Sequence, residues 1–559
     1  MCVLLSVWGA PVTACDTTVS PGPGTPIQDA IDAASDGDTI CVGSGTYVEN
    51  IVIDKSLTLQ GSGSEDNDQA TRLQRGVSIK IIEIVGDVSN VSIKCVRFEG
   101  DAAQTEYGLD AYAGVINGLT ITGNAFIGCD VGMYTGGNLS NCVISNNRFE
   151  GITDFFAIML ETWSSTEIID NVVISGNEIC DSTTGPIELM NYGRAPAENV
   201  KNVLVENNYI HDNDVSGLGD PGKIQNREPQ TAGILARYGW KDLVIRNNIV
   251  VRNKDLSGIG IWGHPNSGTP SDYPGLRVEG NVLKDNTGYD RIDTNQPYPY
   301  PVDTAYPASG ISVAGRPTRY YISGQSTWVM SGNSISGNSK GMSYNGSGSI
   351  DASNNWWGAS DGPGGIGPGS GDDIWPETAD VLYSPWLTSE PYREPWVYDN
   401  PACATPPPKE RKQGVLAYLQ SLVPANSPAW KASLLSAITY IQNSLNPLYW
   451  RDDNHVKSCY VFTYESSAVA KLQDAVNKGM APVTDKIQEL VAIDRRIAEI
   501  QIADAVAVGG SPTRIAKANT YLAQGDSYAA SGQYTTAINR YKLAWQEAYA
   551  AWIAATMPR

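Results

Sequence analysis

The sequence contains little histidine and no pair of cysteines at metal-binding spacing. Its three histidines are His211, His264 and His455, and its nine cysteines form no Cys-x-x-Cys pair. Structural zinc sites draw on clustered ligands of these types, so a zinc cluster is excluded. Charged residues make up only 18% of the chain, and the formal net charge is −21. Because such an acidic surface repels phosphate, nucleic-acid binding is disfavoured.

Phenylalanine is also scarce, with 6 residues against 28 tyrosines and 14 tryptophans. Tyrosine and tryptophan rings carry a polar group and suit wet surfaces and sugar contacts. No run reaches the roughly 18 apolar residues of a membrane-spanning helix. The 559 residues exceed what one hydrophobic core usually supports, and 41% of them are hydrophobic. We therefore expect more than one folded domain.

The N-terminal segment is apolar and uncharged. Met1–Ala14 ends in small residues, like the hydrophobic part and cleavage end of a secretory signal, although a basic start is missing. Val12-Thr13-Ala14-Cys15 also resembles a lipoprotein processing site, which would make Cys15 a lipid anchor. We assign residues 1–19 to this segment and predict export to the cell surface or beyond. A buried strand at a misassigned start is the alternative.

Export predicts at least one disulfide, because oxidising compartments preserve such bonds. One option is a bond from Cys403 to Cys459. The other is a pair among Cys129, Cys142 and Cys180, which the repeat described next brings near one another.

A repeated unit organises the middle of the chain. Each copy is a short β-branched strand, then Asn, then an apolar residue two positions later. The aligned residues are Asn124, Asn147, Asn177, Asn208, Asn248, Asn281, Asn333 and Asn355. A second strand follows each Asn, with a small residue and then alternating apolar residues. Units this short cannot bury a face alone, so we expect them to stack as coils.

This stacking predicts a mainly β fold, a right-handed parallel β-helix, with the Asn side chains as an internal ladder. A β-propeller needs longer repeats with hairpin turns, and a leucine-rich repeat needs Leu at the fixed positions. The stretch Thr25–Gly61 resembles the entry of β-helix proteins of the pectin-lyase-like superfamily, with a capping helix that buries Ile27, Ile31 and Ala34. NNWWGASDGPGG, further along, resembles their closing coil. The resemblance implies a β-helix over residues 20–388. That superfamily contains lyases, hydrolases, epimerases, binding modules and structural proteins.

The C-terminal part has a different pattern. Residues 389–412 form a proline-rich linker, and residues 413–559 show helical periodicity. LNPLYWRDDNH and the helices after it resemble a C-terminal helical module of secreted and cell-surface prokaryotic proteins. We predict a small all-α domain there, with self-association as a candidate role.

One column of outward-facing side chains is the candidate site, because polysaccharide-active β-helices place their cleft along one sheet. Two insertions, residues 212–231 and 287–307, leave the coils at equivalent points and would wall this column. The predicted substrate-binding residues are Asp110, Tyr112, Tyr134, Asn191, Tyr238, Trp262 and His264, and the predicted catalytic residues are Glu161, Glu188 and Arg237.

The column supports two chemistries and a binding function. Glu161 and Glu188, one coil and two positions apart, would fit the carboxyl pair of an inverting glycosidase. Arg237 would instead serve a β-elimination, with Ca²⁺ held against uronates. Asp212, Asp214 and Asp220 are the predicted Ca²⁺ ligands. The sequence thus predicts a surface protein that binds polysaccharide, with cleavage of that polysaccharide as a further hypothesis. A non-catalytic structural or adhesion protein is the alternative.

Overall fold

The chain consists of two compact units, residues 1–404 and 405–559. The computed structural model describes residues 15–65, 70–101, 106–112, 114–193, 195–215, 232–263, 271–290, 306–313, 322–344, 348–375, 381–391, 408–424, 426, 428–481 and 483–556.

Three long sheets, in which every strand pairs in parallel with its neighbours, build the first unit. The first sheet contains Thr17–Val19, Thr39–Val42, Thr58–Gly61, Val88–Lys94, Val115–Thr122, Asn138–Ser145, Ile169–Ser175, Val200–Glu206, Val244–Arg246, Arg277–Glu279 and Val329–Ser331. The second contains Gly45–Val48, Thr71–Gln74, Arg97–Glu99, Ala125–Ile127, Arg148–Glu150, Glu178–Cys180, Tyr209–His211, Ile249–Val251, Val282–Lys284 and Ser334–Ser336. The third contains Ile51–Ile53, Lys80–Ile84, Tyr107–Ala111, Val131–Gly136, Phe156–Glu161, Gly185–Met190, Ala232–Arg237, Ser257–Trp262, Ser309–Val313, Lys340–Tyr344, Pro363–Gly365 and Gly371–Trp375.

The chain visits the three sheets in turn, one strand of each per coil, so the fold is the predicted parallel β-helix. Three pairs of two-residue strands lie outside these sheets. They join Ser271–Asp272 to Ile322–Ser323, Tyr289–Asp290 to Tyr306–Pro307, and Ile350–Asp351 to Val381–Leu382.

The predicted asparagine ladder is confirmed over its whole length. All eight side chains are completely buried. Within the ladder, Asn177 receives hydrogen bonds at its Oδ1 from the backbone N and the Nδ2 of Asn147, both 3.0 Å long. Its own Nδ2 donates to the carbonyl of Ile144 and to Asn208. Each amide therefore satisfies backbone groups at the turn that would otherwise be buried without partners.

A second internal ladder was not predicted. Asn213, Asn253, Asn286 and Asn338 stack five residues after members of the first ladder, and each donates from Nδ2 to the next residue up, ending at Asp372. The signal was present in the sequence as Asn-x4-Asn in four successive copies.

A short helix, Pro26–Ala33, closes the first end of the β-helix. Ile27 and Ile31 are fully buried and Ala34 packs against the core, as predicted. Glu49 accepts hydrogen bonds from the first free backbone N–H groups of this helix, those of Ile27 and Gln28. These groups have no intrahelical partner, so the carboxylate acts as the N-terminal cap.

The boundary predicted at residue 19 is wrong, because Thr17–Val19 already pairs with Ile40–Val42. The sulfur of Cys15 is bonded to that of Cys41, which leaves no thiol for a lipid. Cys95 is also disulfide-bonded. At least one disulfide forms, as predicted, but both predicted pairings are wrong, since Cys129, Cys142, Cys180 and Cys459 are free. Cys403 lies outside the described residues.

Among the described residues, six α-helices form the second unit: Pro408–Ser421, Lys431–Ser444, Tyr460–Asn477, Thr484–Ala507, Pro512–Ala530 and Tyr534–Thr556. A short 3-10 helix, Pro447–Tyr449, lies between the second and third of them. The first begins within the segment predicted as linker. Lys412 of that helix is fully buried and lies 2.7 Å from Asp494 and 3.1 Å from Glu465, which are buried too. Among the described residues, no helix combines the length and apolar character needed to cross a membrane.

Candidate functional site

The third sheet carries the predicted site residues in two adjacent columns rather than one. Asp110 pairs with Tyr134, Tyr134 with Met159, and Met159 with Glu188. The second column contains Glu161, Met190, Arg237 and Trp262, each paired with the next. Glu161 and Glu188 thus lie diagonally, one coil and two strand positions apart, as the sequence predicted.

The outward face of these coils is buried, although the sequence places the candidate cleft there. Glu161 is 1% exposed, Glu188 0% and Arg237 3%. Met159 and Met190 pack with Phe156 in an apolar cluster separate from the β-helix core. Because this face is buried, its charged groups need partners of opposite charge or hydrogen bonds within the protein.

Glu188 and Arg237 match each other as an ion pair between neighbouring coils. The ring of Tyr238 lies beside the guanidinium, with its centroid 5.7 Å from Cζ of Arg237. This pair is buried, so it is not the weak surface contact that an open column would give.

Within the described ranges, Glu161 forms no ion pair of its own. Tyr134 donates a hydrogen bond of 2.8 Å to its Oε2. Its Oε1 is buried and has no hydrogen-bond partner within the described part of the chain. Burial, and secondarily repulsion by Glu188, raises the pKa of Glu161 from 4.5 to about 7, against the lowering effects of Tyr134 and Arg237. Near neutral pH this carboxyl is therefore available as either a proton donor or an acceptor.

Aromatic rings connect this buried carboxyl to the surface. The Tyr112 ring stacks on Tyr134 with centroids 5.3 Å apart. Trp163 donates from Nε1 to the Tyr134 hydroxyl over 2.9 Å, and its ring lies 4.8 Å from that of Tyr192. Trp163 and Tyr192 are 55% and 41% exposed. We call Tyr112, Tyr134, Trp163 and Tyr192 the aromatic edge.

Glu167 holds the aromatic edge in place. Its carboxylate accepts hydrogen bonds from the Tyr112 hydroxyl and from the backbone N of Trp163. Sequence reasoning missed Glu167, Trp163 and Tyr192, because they follow the ends of third-sheet strands and belong to no repeated pattern. The one feature that Trp163 and Tyr192 share in the sequence is their position, two residues after the end of a third-sheet strand.

The remaining predicted site residues have structural contacts. Asn191 is buried and its amide bonds Thr162, Ala195 and Gly239, so it links the turns of three coils. Trp262 is 5% exposed and packs on Leu235.

Asp110 is also buried, and its carboxylate forms an ion pair with Lys80 over 2.9 Å. Tyr238 is 6% exposed and belongs to the apolar cluster of Phe156. His264 lies outside the described residues.

Two of the three predicted Ca²⁺ ligands are paired with basic side chains. Asp212 pairs with Arg252 and His211, and Asp214 pairs with Lys254. Asp220 lies outside the described residues. Within the described ranges, no group of three or more His, Cys, Asp or Glu side chains is placed to hold a metal ion. The Ca²⁺ site stays a prediction.

The chain resembles known proteins in sequence over a short stretch and in structure over a longer one. No protein-family model matches the chain. A stretch of 129 residues is 32% identical to a cell surface glycoprotein of Methanothermus fervidus and covers 22% of this chain. The match spans 16% of that relative's length. The A-module of a mannuronan C-5 epimerase from Azotobacter vinelandii superposes with a TM-score of 0.33 at 16% identity, over 66% of this chain and 95% of the module.

Proposed function

We propose that the β-helix is a glycan-binding module of an exported, cell-surface protein and that its aromatic edge is the contact surface. The observation that carries this proposal is the exposed pair Trp163 and Tyr192, joined through the Tyr134 hydroxyl to buried Glu161. Exposed rings stack on the apolar face of a pyranose, and neighbouring hydroxyls and carboxylates bind its hydroxyl groups.

The charge around the edge favours a near-neutral glycan. Glu161 and Glu167 lie at the edge, while Arg237 is engaged by Glu188. A uronate chain would be repelled by this negative charge. An anionic ligand would need a bridging cation, and Ca²⁺ at Asp212, Asp214 and Asp220 is the candidate that the sequence offers.

Two observations support the extracellular location. The Cys15–Cys41 disulfide is typical of oxidising compartments. The relative from Methanothermus fervidus is a cell surface glycoprotein. A lipid at Cys15 is not part of this proposal because its sulfur is used. Self-association through the six-helix unit remains a candidate role for that unit.

A second candidate function is acid–base catalysis on the same glycan, with Glu161 as the proton-transfer group. It is favoured by the pKa of about 7 and by the unpartnered Oε1 atom. Glu188 and Arg237, which form a buried ion pair, would then position and charge-balance Glu161. Tyr134, which donates to the Oε2 of Glu161, would hold that carboxyl in position.

Binding is tested on a broad glycan array with the full chain and with Trp163→Ala and Tyr192→Ala variants. Each substitution should weaken retention at least tenfold, because each removes one stacking ring. Tyr460→Ala is the matched control, since Tyr460 is 58% exposed and contacts a neighbouring ring, that of Tyr449, in the helical unit. Binding that survives both edge substitutions, or no binding by the parent, would favour a structural or adhesion role.

Catalysis is tested on the glycans that bind. Formation of reducing ends reports hydrolysis, and unsaturation absorbing near 235 nm reports elimination. Loss of either product in Glu161→Gln, with binding kept, would support the catalytic candidate. A parent that binds but releases neither product excludes both cleavage chemistries.

A further inference from the structure

Exposed asparagines occupy one position of the first sheet in successive coils. Asn90, Asn141, Asn171 and Asn202 have φ angles between 54° and 57°, and Gly118 takes the same position, with φ of 84°, in the coil after Asn90. The left-handed backbone conformation explains the residue types, because Gly and Asn adopt it most readily. The four asparagines are exposed to solvent.

Three of these side chains are tied to a neighbouring coil. Asn141 donates to Asn117, Asn171 to Asn141, and Asn202 to Asp170, each over 2.7 Å. Asn90 differs, since its amide forms no hydrogen bond to any described residue. The neighbouring coil places Gly118 against it, where a Cβ atom would come within 2.8 Å of the Asn90 Oδ1.

The sequence after Asn90 also departs from the repeat. The residue two positions after each of the other three asparagines is apolar: Val143, Val173 and Leu204. The residue two positions after Asn90 is Ser92. Asn90-Val91-Ser92 therefore forms the acceptor sequence for N-linked glycosylation, Asn-x-Ser/Thr with x other than Pro. The asparagine of this acceptor sequence is thus also the one whose side-chain amide is exposed and forms no hydrogen bond to a described residue.

We propose that Asn90 carries an N-linked oligosaccharide. In the transfer, Nδ2 of Asn90 attacks the anomeric carbon of a lipid-phosphate-linked oligosaccharide, held by an oligosaccharyltransferase. A C–N bond forms, the bond from that carbon to the phosphate oxygen breaks, and the lipid phosphate leaves with the electron pair. The amide proton passes to a base of the transferase. The attached glycan would extend into solvent without displacing any hydrogen bond of the β-helix.

A second acceptor sequence provides an internal comparison. Asn138-Leu139-Ser140 lies in the same sheet, but Asn138 is half-buried and its Oδ1 accepts a hydrogen bond from the backbone N of Ile168. The Ser140 hydroxyl donates to Asn117. A third, Asn345-Gly346-Ser347, lies outside the described residues.

The test is site-resolved glycopeptide mass spectrometry of the full chain, recovered from the medium of a host that N-glycosylates its exported proteins. We expect the Asn90 peptide to be mostly modified and the Asn138 peptide to be mostly unmodified. Ser92→Ala should remove the modification and Ser92→Thr should keep it, while both leave Asn90 in place. An unmodified Asn90 peptide in the secreted parent, glycan at Asn138 instead, or unchanged occupancy in Ser92→Ala would overturn the proposal.

Discussion

The carboxylate of Glu188 and the guanidinium of Arg237 form an ion pair between adjacent coils on the outward face of the third sheet. Both side chains are buried, at 0% and 3% exposure. An outward-facing pair on a solenoid is normally solvated and contributes little. Here each charge depends on the other, because both side chains are removed from solvent.

Removing one member of this pair should therefore destabilise the β-helix. We expect Glu188→Ala to lower the free energy of unfolding by about 3–5 kcal/mol, because Arg237 would lose its buried carboxylate partner. The double variant Glu188→Met with Arg237→Met should recover most of that loss. Urea unfolding of the single and double variants measures the coupling.

An exposed ion pair between two adjacent coils is the control. Arg246 and Glu206 lie 2.7 Å apart with side chains 47% and 20% exposed. Arg246→Ala should change stability by less than about 1 kcal/mol. Equal losses at both pairs would show that burial is not what distinguishes Glu188 and Arg237.

The fold was predictable from sequence because its determinants repeat. A residue such as Asn177 stands at a fixed place in every coil, and periodicity alone assigns it to the interior. The diagonal placement of Glu161 and Glu188 followed from the same register. Burial of the outward face could not be predicted from the register. Alternation along a strand predicts which way each side chain points, but not whether other residues cover the face that it points to. The exposed rings of Trp163 and Tyr192 lie in turns, where no period applies.

The asparagine ladder allows a direct stability test. Asn208 donates to Asn248 and to the carbonyl of Ile174, and it accepts from Asn177. Asn208→Ala should cost about 1–3 kcal/mol, because buried backbone groups lose their partners. Asn117→Ala is the control on the exposed surface of the same sheet and should cost well under half as much. Chemical denaturation followed by circular dichroism separates the two outcomes.

The helical unit contains its own buried charge cluster. Lys412 contacts Asp494 and Glu465, and all three side chains are 0% exposed. Lys412→Met should destabilise this unit by about 3–5 kcal/mol, since two carboxylates would share one buried space without a cation. Lys409→Met, in the same helix, removes an exposed contact to Asp453 and should have a small effect. Equal effects of the two changes would contradict a structural role for the buried cluster.

Stability of the β-helix should fall as the pH rises toward neutrality, because of Glu161. Burial raises its pKa in the folded state from 4.5 to about 7. Between these values the folded state binds more protons than the unfolded state, so the free energy of unfolding decreases with increasing pH. The loss should reach on the order of 3 kcal/mol by pH 8.

Glu161→Gln should flatten this dependence, because a neutral amide has nothing to ionise. Burial raises the pKa of Asp494 in the helical unit as well. The stability of that unit should therefore also fall with rising pH, and the two effects must be measured separately. Thermal unfolding between pH 5 and pH 8 is therefore compared for the parent, Glu161→Gln and Asp494→Asn, with the two units followed as separate transitions. If the β-helix transition of Glu161→Gln keeps the slope of the parent, another group controls it and Glu161 is already ionised at neutral pH. That result would also remove the basis for proton transfer at this carboxyl, whereas glycan binding through Trp163 and Tyr192 would stand.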